Sequence, residues 1–235
     1  MELESSGIRQ GKEYRRILAV GDIHGNFQRL MTLFPKIGFD PEQDLLIFLG
    51  DYIDRGDENL HVMEWIMKQV RQKNVIALRG NHEQMLLDYF QQDDTMWRAN
   101  GGDLTYRELK ERAIWDKAII DRWLVFLEAR PCSYRLNVWG QEYFFCHAGV
   151  YPGVPLSEQS PEDLLWIRSA FYDHYDGEAI IVAGHTPVSM IEPDCTEPLF
   201  RSNHIIMTDT GSFMPKGHIS CVDVLTWDFW QSDED

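Results

Sequence analysis

The chain has 235 residues and a net charge of −16, and 44% of its residues are hydrophobic. This apolar share is ample for a sizeable core and excludes a disordered chain. The acidic balance argues against a nucleic-acid partner, because a phosphate backbone attracts lysine and arginine. No apolar run approaches membrane-spanning length, so we expect no membrane partner either.

The amino-terminal segment and the cysteines indicate the cellular compartment of the protein. Met1–Gln10 is polar and acidic, and no long apolar stretch follows it, so a secretory signal is not expected. The four cysteines have no CxxC spacing and lie in or near apolar stretches, which is typical of reduced core thiols. We therefore expect a cytoplasmic protein.

The first third of the chain alternates between short apolar runs and amphipathic segments. Apolar side chains in the longer segments recur at spacings of three and four, which predicts helices, and the short runs predict strands. Strands that alternate with helices indicate right-handed βαβ units and a mostly parallel sheet. The predicted order is a strand at 16–21, a helix near 26–36, a strand at 45–49, a helix near 58–71, a strand at 74–79 and a helix near 82–91.

The middle of the chain, about 92–130, is predicted to be a helical insertion. A polar break at Gln91–Asp94 and a turn at Asn100–Gly102 precede a stretch, 103–128, whose pattern predicts two helices. We expect this insertion to pack on the sheet and to form one wall of a substrate groove.

The last part of the chain is richer in strand patterns, and Gly140–Gln141 is predicted to turn the first strand into the second as a hairpin. Two sheets within a single domain over residues 1–235 fit this order better than two domains. The predicted strands are 133–139, 142–146, 179–183, 204–208 and 218–226.

Five apolar runs end directly in residues that bind metals or phosphate. Ligands in open α/β folds gather beyond the carboxyl ends of the strands, so we expect these five endings to meet. Together they supply carboxylate, amide, imidazole and guanidinium groups, which indicates a dinuclear hydrolytic site. The endings are GDIHG at 21–25, GDYIDRG at 50–56, RGNHE at 79–83, HAG at 147–149 and GHT at 184–186.

The candidate metal ligands offer oxygen and nitrogen atoms in a mixed set. Such a set suits Mn²⁺, Fe or Zn²⁺ better than the all-oxygen preference of Ca²⁺ or Mg²⁺. The carboxylate of Asp51 follows a buried-looking strand and is suited to bridge two cations. The candidates are Asp22, His24, Asp51, Asn81, His147 and His185.

Three further residues point to phosphate ester chemistry. Arg55 is suited to grip a phosphate by forked, charge-assisted hydrogen bonds. His82 is a candidate general acid for the leaving alkoxide, and Asp54 is suited to orient it and keep it protonated. Two cations activate a water for in-line attack, and no other residue of the set looks like a covalent nucleophile.

These motifs, in this order, resemble the metallophosphoesterases of the phosphoprotein phosphatase type, and in particular their bacterial and bacteriophage members. The resemblance extends from about Ile17 to Ser220. It implies an α/β fold, the calcineurin-like metallophosphoesterase sandwich of two mixed β-sheets flanked by helices, here with a helical insertion. It also implies two divalent metal ions, with manganese expected ahead of iron or zinc.

The resemblance implies a role for each site residue. His82 and Asp54 form the proton-donating pair, and Arg55 is a phosphate clamp. Arg168 is implied as a second clamp, although an ordinary surface arginine is a serious competitor. The implied ligands are Asp22, His24 and Asp51 for one metal, and Asp51, Asn81, His147 and His185 for the other.

Two sequence details bear on the substrate. Many relatives that cleave phosphodiesters have a second histidine two residues after the first in the GHT region, where this chain has Pro187. Symmetrical bis(5'-nucleosyl)-tetraphosphatases share GDxHG and HAG but usually have Asp where this chain has Glu83. Both details favour a phosphorylated protein or peptide, with phosphoserine or phosphothreonine as the target, and the dinucleotide stays an alternative.

A catalytically silent binding module is the remaining alternative. Such a protein is expected to lose a metal ligand, the arginine clamp or the general acid. The sequence retains all of them, which argues against that alternative.

Overall fold

A computed structural model describes residues 14–92, 95–111 and 117–233 of the chain. Within these residues there are ten strands. They are β1 (Ile17–Val20), β2 (Leu45–Phe48), β3 (Val75–Ala77), β4 (Ser133–Val138), β5 (Gln141–Cys146), β6 (Ile180–Ala183), β7 (Leu199–Arg201), β8 (Ile205–Met207), β9 (Ser220–Asp223) and β10 (Phe229–Gln231).

The described residues also contain seven α-helices, a π-helical turn at Arg98–Gly102 and a 3₁₀ turn at Val188–Met190. The helices are α1 (Phe27–Ile37), α2 (Asn59–Gln69), α3 (Asn81–Gln92), α4 (Asp103–Glu111), α5 (Lys117–Glu128), α6 (Pro161–Trp166) and α7 (Ser169–Tyr172). None of them is long and apolar enough to cross a bilayer.

The strands form two mixed sheets of five strands each. In the first sheet, ordered β10-β9-β1-β2-β3, the strands β1, β2 and β3 are parallel, as the alternating pattern predicts, and β9 and β10 are antiparallel. In the second, ordered β4-β5-β6-β8-β7, the hairpin β4-β5 and the edge strand β7 are antiparallel, and β5, β6 and β8 are parallel. The predicted sandwich of two mixed sheets flanked by helices is confirmed.

Both faces of β1 and β2 in the first sheet are buried, which explains why these two strands are apolar throughout. In β1, Ile17 and Ala19 face the core between the two sheets, and Leu18 and Val20 face the helices. This follows from the alternation of side chains along a strand, so a run without polar residues requires a partner layer on each side.

Helices cover both outer faces of the sandwich. The buried residues of α1 to α5 pack with the outer face of the first sheet, and Leu164 of α6 and Phe171 of α7 pack with the outer face of the second. One core between the sheets, with helices outside, supports the prediction of a single domain over residues 1–235, which stays a prediction.

The structure corrects several of the predicted elements. The hairpin turn consists of Trp139 and Gly140, one residue earlier than predicted, and both have the positive φ (51° and 91°) that is typical of a type I′ turn. The edge strands β7 and β10 were not predicted, because three residues carry too little alternation. Helix α6 was missed as well, although its N-cap Ser160 and the proline at its first position are start signals.

The predicted insertion contains two helices, α4 and α5, as expected, although α3 extends to Gln92, the first residue assigned to the insertion. Its Asn100–Gly102 turn lies within the π-helical turn, where Asn100 and Gly101 have non-helical backbone angles. Residues 93–94 and 112–116 of the insertion, and the segment Met1–Gln10, lie outside the described residues.

We predict that Ile47→Ala lowers the free energy of unfolding by about 2–5 kcal/mol. Ile47 lies fully buried between the two sheets, so the truncation leaves a cavity in their shared core. Urea denaturation with EDTA present measures the difference without a contribution from bound metal.

Val125→Ala is the control for this change, because the side chain of Val125 on α5 is 69% exposed. Its effect is expected to stay within about 0.5 kcal/mol. Equal losses in both variants would contradict a tightly packed core between the sheets.

Candidate metal centre

The five sequence motifs that follow β1, β2, β3, β5 and β6 meet at one end of the sandwich. Main-chain hydrogen bonds join them: the N–H of Ile23 donates to the oxygen of Asp51 (2.9 Å), and the N–H of Gly184 donates to the oxygen of His147 (2.8 Å). The N–H of His185 donates to Oδ1 of Asp22 (3.0 Å) and so joins the last motif to the first. The predicted convergence of the five strand endings is therefore present in the fold.

Five of the predicted site residues have a positive φ, which is rare for residues other than glycine. Such backbone costs about 1–3 kcal/mol per residue and persists only where the surroundings impose it, most often at functional sites. The five are His24 (50°), Asp51 (52°), Asp54 (74°), Arg55 (67°) and His185 (64°).

The first group of candidate ligand atoms surrounds Oδ2 of Asp51. Nε2 of His24 lies 3.5 Å from that oxygen and 3.8 Å from Oδ2 of Asp22. Nε2 of His82 lies 3.8 Å from the same Asp51 oxygen. His24, Asp51 and His82 thus offer ligand atoms that are all within 4.8 Å of one another.

The second group surrounds Oδ1 of Asp51. Nε2 of His147 lies 3.3 Å from that oxygen and 2.8 Å from Oδ1 of Asn81. Nδ1 of His185 lies 3.0 Å from the same Asn81 oxygen. The two carboxylate oxygens of Asp51 therefore face different groups, which is the arrangement that a bridging ligand needs.

The tautomer of His147 indicates that a cation belongs in the second group. Nδ1 of His147 lies 3.1 Å from the oxygen of Leu49, a pure acceptor, so Nδ1 carries the proton. Burial lowers the pKa of His147 to about 3, so the ring is neutral and its Nε2 carries a lone pair. That lone pair faces Oδ1 of Asn81 and Oδ1 of Asp51 with no hydrogen between them, and three acceptor atoms that meet in this way fit a cation.

His24 in the first group has the same tautomer. Its Nδ1 lies 3.0 Å from the oxygen of Ile53, which leaves the lone pair on Nε2, where it accepts a hydrogen bond from Nη1 of Arg55 (2.8 Å) and lies 3.5 Å from Oδ2 of Asp51. Burial lowers the pKa of His24 well below its ordinary value, so this ring is neutral too. Neutral imidazole is the form that binds metals.

Buried polar atoms without a partner supply an independent test of the fit. Four such atoms near Asp51 have no hydrogen-bond partner among the described residues, although buried polar groups are nearly always paired. Burial also raises the pKa of Asp22 and of Asp51 well above the ordinary range. A divalent cation beside Asp51 satisfies Oδ2 of Asp22 and offsets the buried charge of both carboxylates, and Nε2 of His82 faces the centre as the candidate acid. The four atoms are Oδ2 of Asp22, Nε2 of His82, Nε2 of His185 and Oδ2 of Asp209.

The two residues predicted as a proton-donating pair are in contact. Nδ1 of His82 lies 2.8 Å from Oδ2 of Asp54, and both side chains are buried. Burial lowers the pKa of His82, and Arg55 adds to that effect, so the ring is neutral before an anion binds. Burial raises the pKa of Asp54 to about 7, against hydrogen bonds that favour its ionised form.

The two predicted phosphate clamps lie on opposite sides of the centre. Nη1 of Arg55 is 2.8 Å from Nε2 of His24, and its guanidinium lies 4.2 Å from the centroid of the Phe213 ring. Arg168 precedes α7 and is exposed, and its Nη1 donates to the oxygen of His185 (3.3 Å) and to Oγ1 of Thr186 (3.1 Å). Both arginines thus contact residues of the predicted metal-binding motifs.

Sequence reasoning missed the role of Glu83, which it used only to distinguish branches of the family. This carboxylate is fully buried and accepts the main-chain N–H groups of Asp51 (2.8 Å), Tyr52 (2.8 Å) and Gly80 (2.9 Å). It therefore ties the second motif to the third. Its place in the RGNHE motif was visible, but its partners lie 31 and 32 residues away in the chain.

Asp209 lies in a turn close to Asp22. Its Oδ1 accepts the N–H of Gly211 at 2.9 Å, which holds the turn. Its Oδ2 is one of the buried atoms without a partner, and its charge helps to raise the pKa of Asp22. An apolar strand, β8, ends just before it, the same signal that marked the other five motifs.

The chain belongs to the calcineurin-like phosphoesterase family, whose model matches residues 15–209. It is therefore a hydrolase of phosphoric esters, and its clustered His and Asp residues fit a divalent metal cofactor.

The matched relatives are named for two kinds of activity. The chain is 45% identical to serine/threonine-protein phosphatase 2 of Escherichia coli strain K12 over 169 residues, which cover 70% of this chain and 73% of that one. It is 28% identical to the asymmetrical bis(5'-nucleosyl)-tetraphosphatase PrpE of Bacillus cereus strain B4264 over 218 residues, with 82% and 84% covered. A solved structure described as a putative diadenosine tetraphosphatase superposes with a TM-score of 0.70 at 17% identity, with 94% of each chain covered, and so shares the fold.

We predict that Asp51→Ala removes both metal ions. Each ligand group uses one oxygen of this carboxylate, so its loss weakens both sites at once. Elemental analysis after dialysis against Mn²⁺-free buffer measures the metal content, with circular dichroism as the check on folding.

Asp121→Ala is the matched control, because Asp121 is exposed on α5. Among the described residues, its carboxylate forms an ion pair with Lys117, one helical turn away. It is expected to retain the metal content of the unaltered chain. An Asp51→Ala protein that also retained it would rule out the bridging role.

Proposed function

We propose that the protein is a manganese-dependent serine/threonine protein phosphatase. The observation that carries the proposal is the sharing of Asp51 between two ligand groups that lie beside His82 and Arg55. We assign one metal to Asp22, His24 and Asp51. We assign the other to Asp51, Asn81, His147 and His185.

When bound, two divalent ions supply an activated water at neutral pH and offset the charge of the transferring phosphoryl group. The mixed oxygen and nitrogen donors favour Mn²⁺, with Fe or Zn²⁺ as the other candidates.

The protein's own residues provide orientation and the proton. Arg55 binds the phosphate oxygens, and its packing against the ring of Phe213 limits the directions in which its guanidinium points. Arg168 is assigned as a second clamp, because its contacts with His185 and Thr186 hold it at the edge of the centre. Two arginines in fixed positions orient the ester for in-line attack.

His82 is assigned as the general acid. Its Nδ1 is held by Asp54, so its Nε2 is the nitrogen that faces the centre. A phosphate dianion beside Nε2 favours the protonated ring, since an opposite charge at close range raises the pKa of an imidazole. The proton on Nε2 then passes to the oxygen of the leaving alkoxide.

The preference for a phosphoprotein rests on the sequence and on the relatives. Pro187 occupies the position where many phosphodiesterases have a second histidine, which favours monoesters. The relative that is 45% identical is named as a serine/threonine-protein phosphatase. A cytoplasmic location is part of the proposal and is supported by the four cysteines, none of which forms a disulfide.

A dinucleoside tetraphosphate is the second candidate substrate, because a relative at 28% identity is named as a bis(5'-nucleosyl)-tetraphosphatase. The same metal ligands, clamp and acid serve either substrate. The two candidates differ in what the surrounding groove must bind, which is a peptide in one case and two nucleosides in the other.

Initial rates with Mn²⁺ on a phosphothreonine peptide and on diadenosine tetraphosphate test the proposal directly. We expect a higher kcat/KM for the peptide. A preference for the dinucleotide would overturn the substrate assignment, and activity on neither substrate by the metal-loaded protein would favour a binding module.

We predict that His82→Asn lowers kcat by about 10²–10⁴ for esters with poor leaving groups, because these need the proton most. The loss on p-nitrophenyl phosphate is expected to be much smaller, since p-nitrophenolate leaves unaided. A comparison of kcat on phenyl phosphate and p-nitrophenyl phosphate measures this selectivity.

Metal content serves as the control for this variant, and it is expected to match that of the unaltered chain. Equal kcat losses on the two esters would contradict the assignment of His82 as the general acid.

A further inference from the structure

The carboxylate of Asp54 has more partners than the proton-donating pair requires. Besides His82, it accepts the indole N–H of Trp97, whose Nε1 lies 3.0 Å from Oδ1 and 2.9 Å from Oδ2. It also accepts the hydroxyl of Thr105, with Oγ1 2.5 Å from Oδ1. All four side chains are buried, so water does not compete for these bonds.

The chemistry of the two extra donors determines what Asp54 does. An indole nitrogen only donates, so the oxygens that face Trp97 must accept. Hydroxyl bonds as short as that of Thr105 are typical of an ionised acceptor. Oδ1 of Asp54 thus accepts from both Trp97 and Thr105, and Oδ2 is the oxygen that accepts the Nδ1 proton of His82.

The hydrogen bond between Nδ1 of His82 and Oδ2 of Asp54 orients the ring of the proposed general acid. A hydrogen bond at Nδ1 orients an imidazole ring and leaves Nε2 as the nitrogen that exchanges a proton. Nε2 of His82 has no partner among the described residues and lies 3.8 Å from Oδ2 of Asp51. A rotation of the Asp54 carboxylate would move this nitrogen away from the centre.

Both extra donors come from the segment between α3 and α5. Trp97 immediately precedes the π-helical turn, and Thr105 lies in the first half of α4. Gly102 makes room for the indole, because a Cβ at that position would collide with the Trp97 ring.

The same segment also holds the main chain on either side of Asp54. Glu108 of α4 accepts the N–H of Asn59 (2.7 Å), and Oδ1 of Asn59 accepts the N–H of Asp54 (2.6 Å). The N–H of Arg55 donates to the oxygen of Gly101 (3.4 Å). The insertion therefore contacts both the carboxylate and the backbone of the loop that carries the acid pair and the clamp.

We propose that Trp97 and Thr105 are positioning residues for proton donation, acting on His82 through the carboxylate that they share with it. The insertion, predicted as a wall of the substrate groove, then also belongs to the machinery for leaving-group protonation. Neither residue touches the substrate or the metals in this role.

The test compares kcat on phenyl phosphate and on p-nitrophenyl phosphate. Thr105→Val removes the hydroxyl at nearly constant shape, and Trp97→Phe removes the indole N–H. Each is expected to lower kcat on phenyl phosphate by roughly 10–100-fold, the range seen when a group that orients a reacting side chain is lost. The loss on p-nitrophenyl phosphate, the KM values and the metal content are expected to change little.

Two further variants separate positioning from structural damage. Thr105→Ser keeps the hydroxyl and is expected to restore most of the kcat that Thr105→Val loses on phenyl phosphate. Trp65→Phe makes the same indole-to-phenyl change at a half-buried residue packed on Phe34 and Phe48, away from Asp54, and is expected to show no selectivity between the esters.

The inference rests on the proposed role of His82, and the two fail in different ways. A His82→Asn enzyme without leaving-group selectivity overturns the proposed acid. A selective His82→Asn enzyme together with unselective Thr105→Val and Trp97→Phe enzymes overturns the positioning role alone. If Trp97→Phe does not fold, the Thr105→Val and Thr105→Ser pair decides the question.

Discussion

The convergence of acceptor atoms on Asp51 is the constraint on which the site depends. Its two oxygens face lone pairs of His24 on one side and of His147 and Asn81 on the other, all in buried positions. Buried groups of this kind are unfavourable unless hydrogen bonds or charges compensate them. The hydrogen bonds from Arg55 to Nε2 of His24 and from the N–H of His82 to Oδ1 of Asp51 do so only in part. Cations between these ligand atoms supply the positive charge that the buried carboxylate of Asp51 lacks, and the neutral imidazoles of His24 and His147 are the form that binds metals.

A frame of buried hydrogen bonds makes that convergence possible. Glu83 holds the N–H groups of Asp51 and Gly80 on one carboxylate, so the loops after β2 and β3 cannot separate without leaving a buried charge unpaired. The apolar sheets below provide the rigid base. Together they sustain positive φ angles at residues that would otherwise relax to ordinary backbone.

The loop after β2 combines three functions in a few residues. It carries the residues proposed as shared ligand, acid partner and clamp, which are Asp51, Asp54 and Arg55, so in the proposed function a shift of this loop would disturb metal binding and proton transfer together. The insertion supports the loop from outside through Glu108 and Gly101.

The sequence by itself determined the parallel strands β1, β2 and β3 and the candidate site residues that stand in motifs, because each apolar strand leads directly into its polar ending. These sequence patterns are local, because each strand and its polar ending are adjacent in the chain. Only the tertiary structure decided the partners of Glu83, the unpartnered oxygen of Asp209 and the bonds of Trp97 and Thr105 to Asp54. These contacts join residues far apart in the chain. Their effect depends on interatomic distance and burial, and the spacing of residue types along the sequence does not give either quantity.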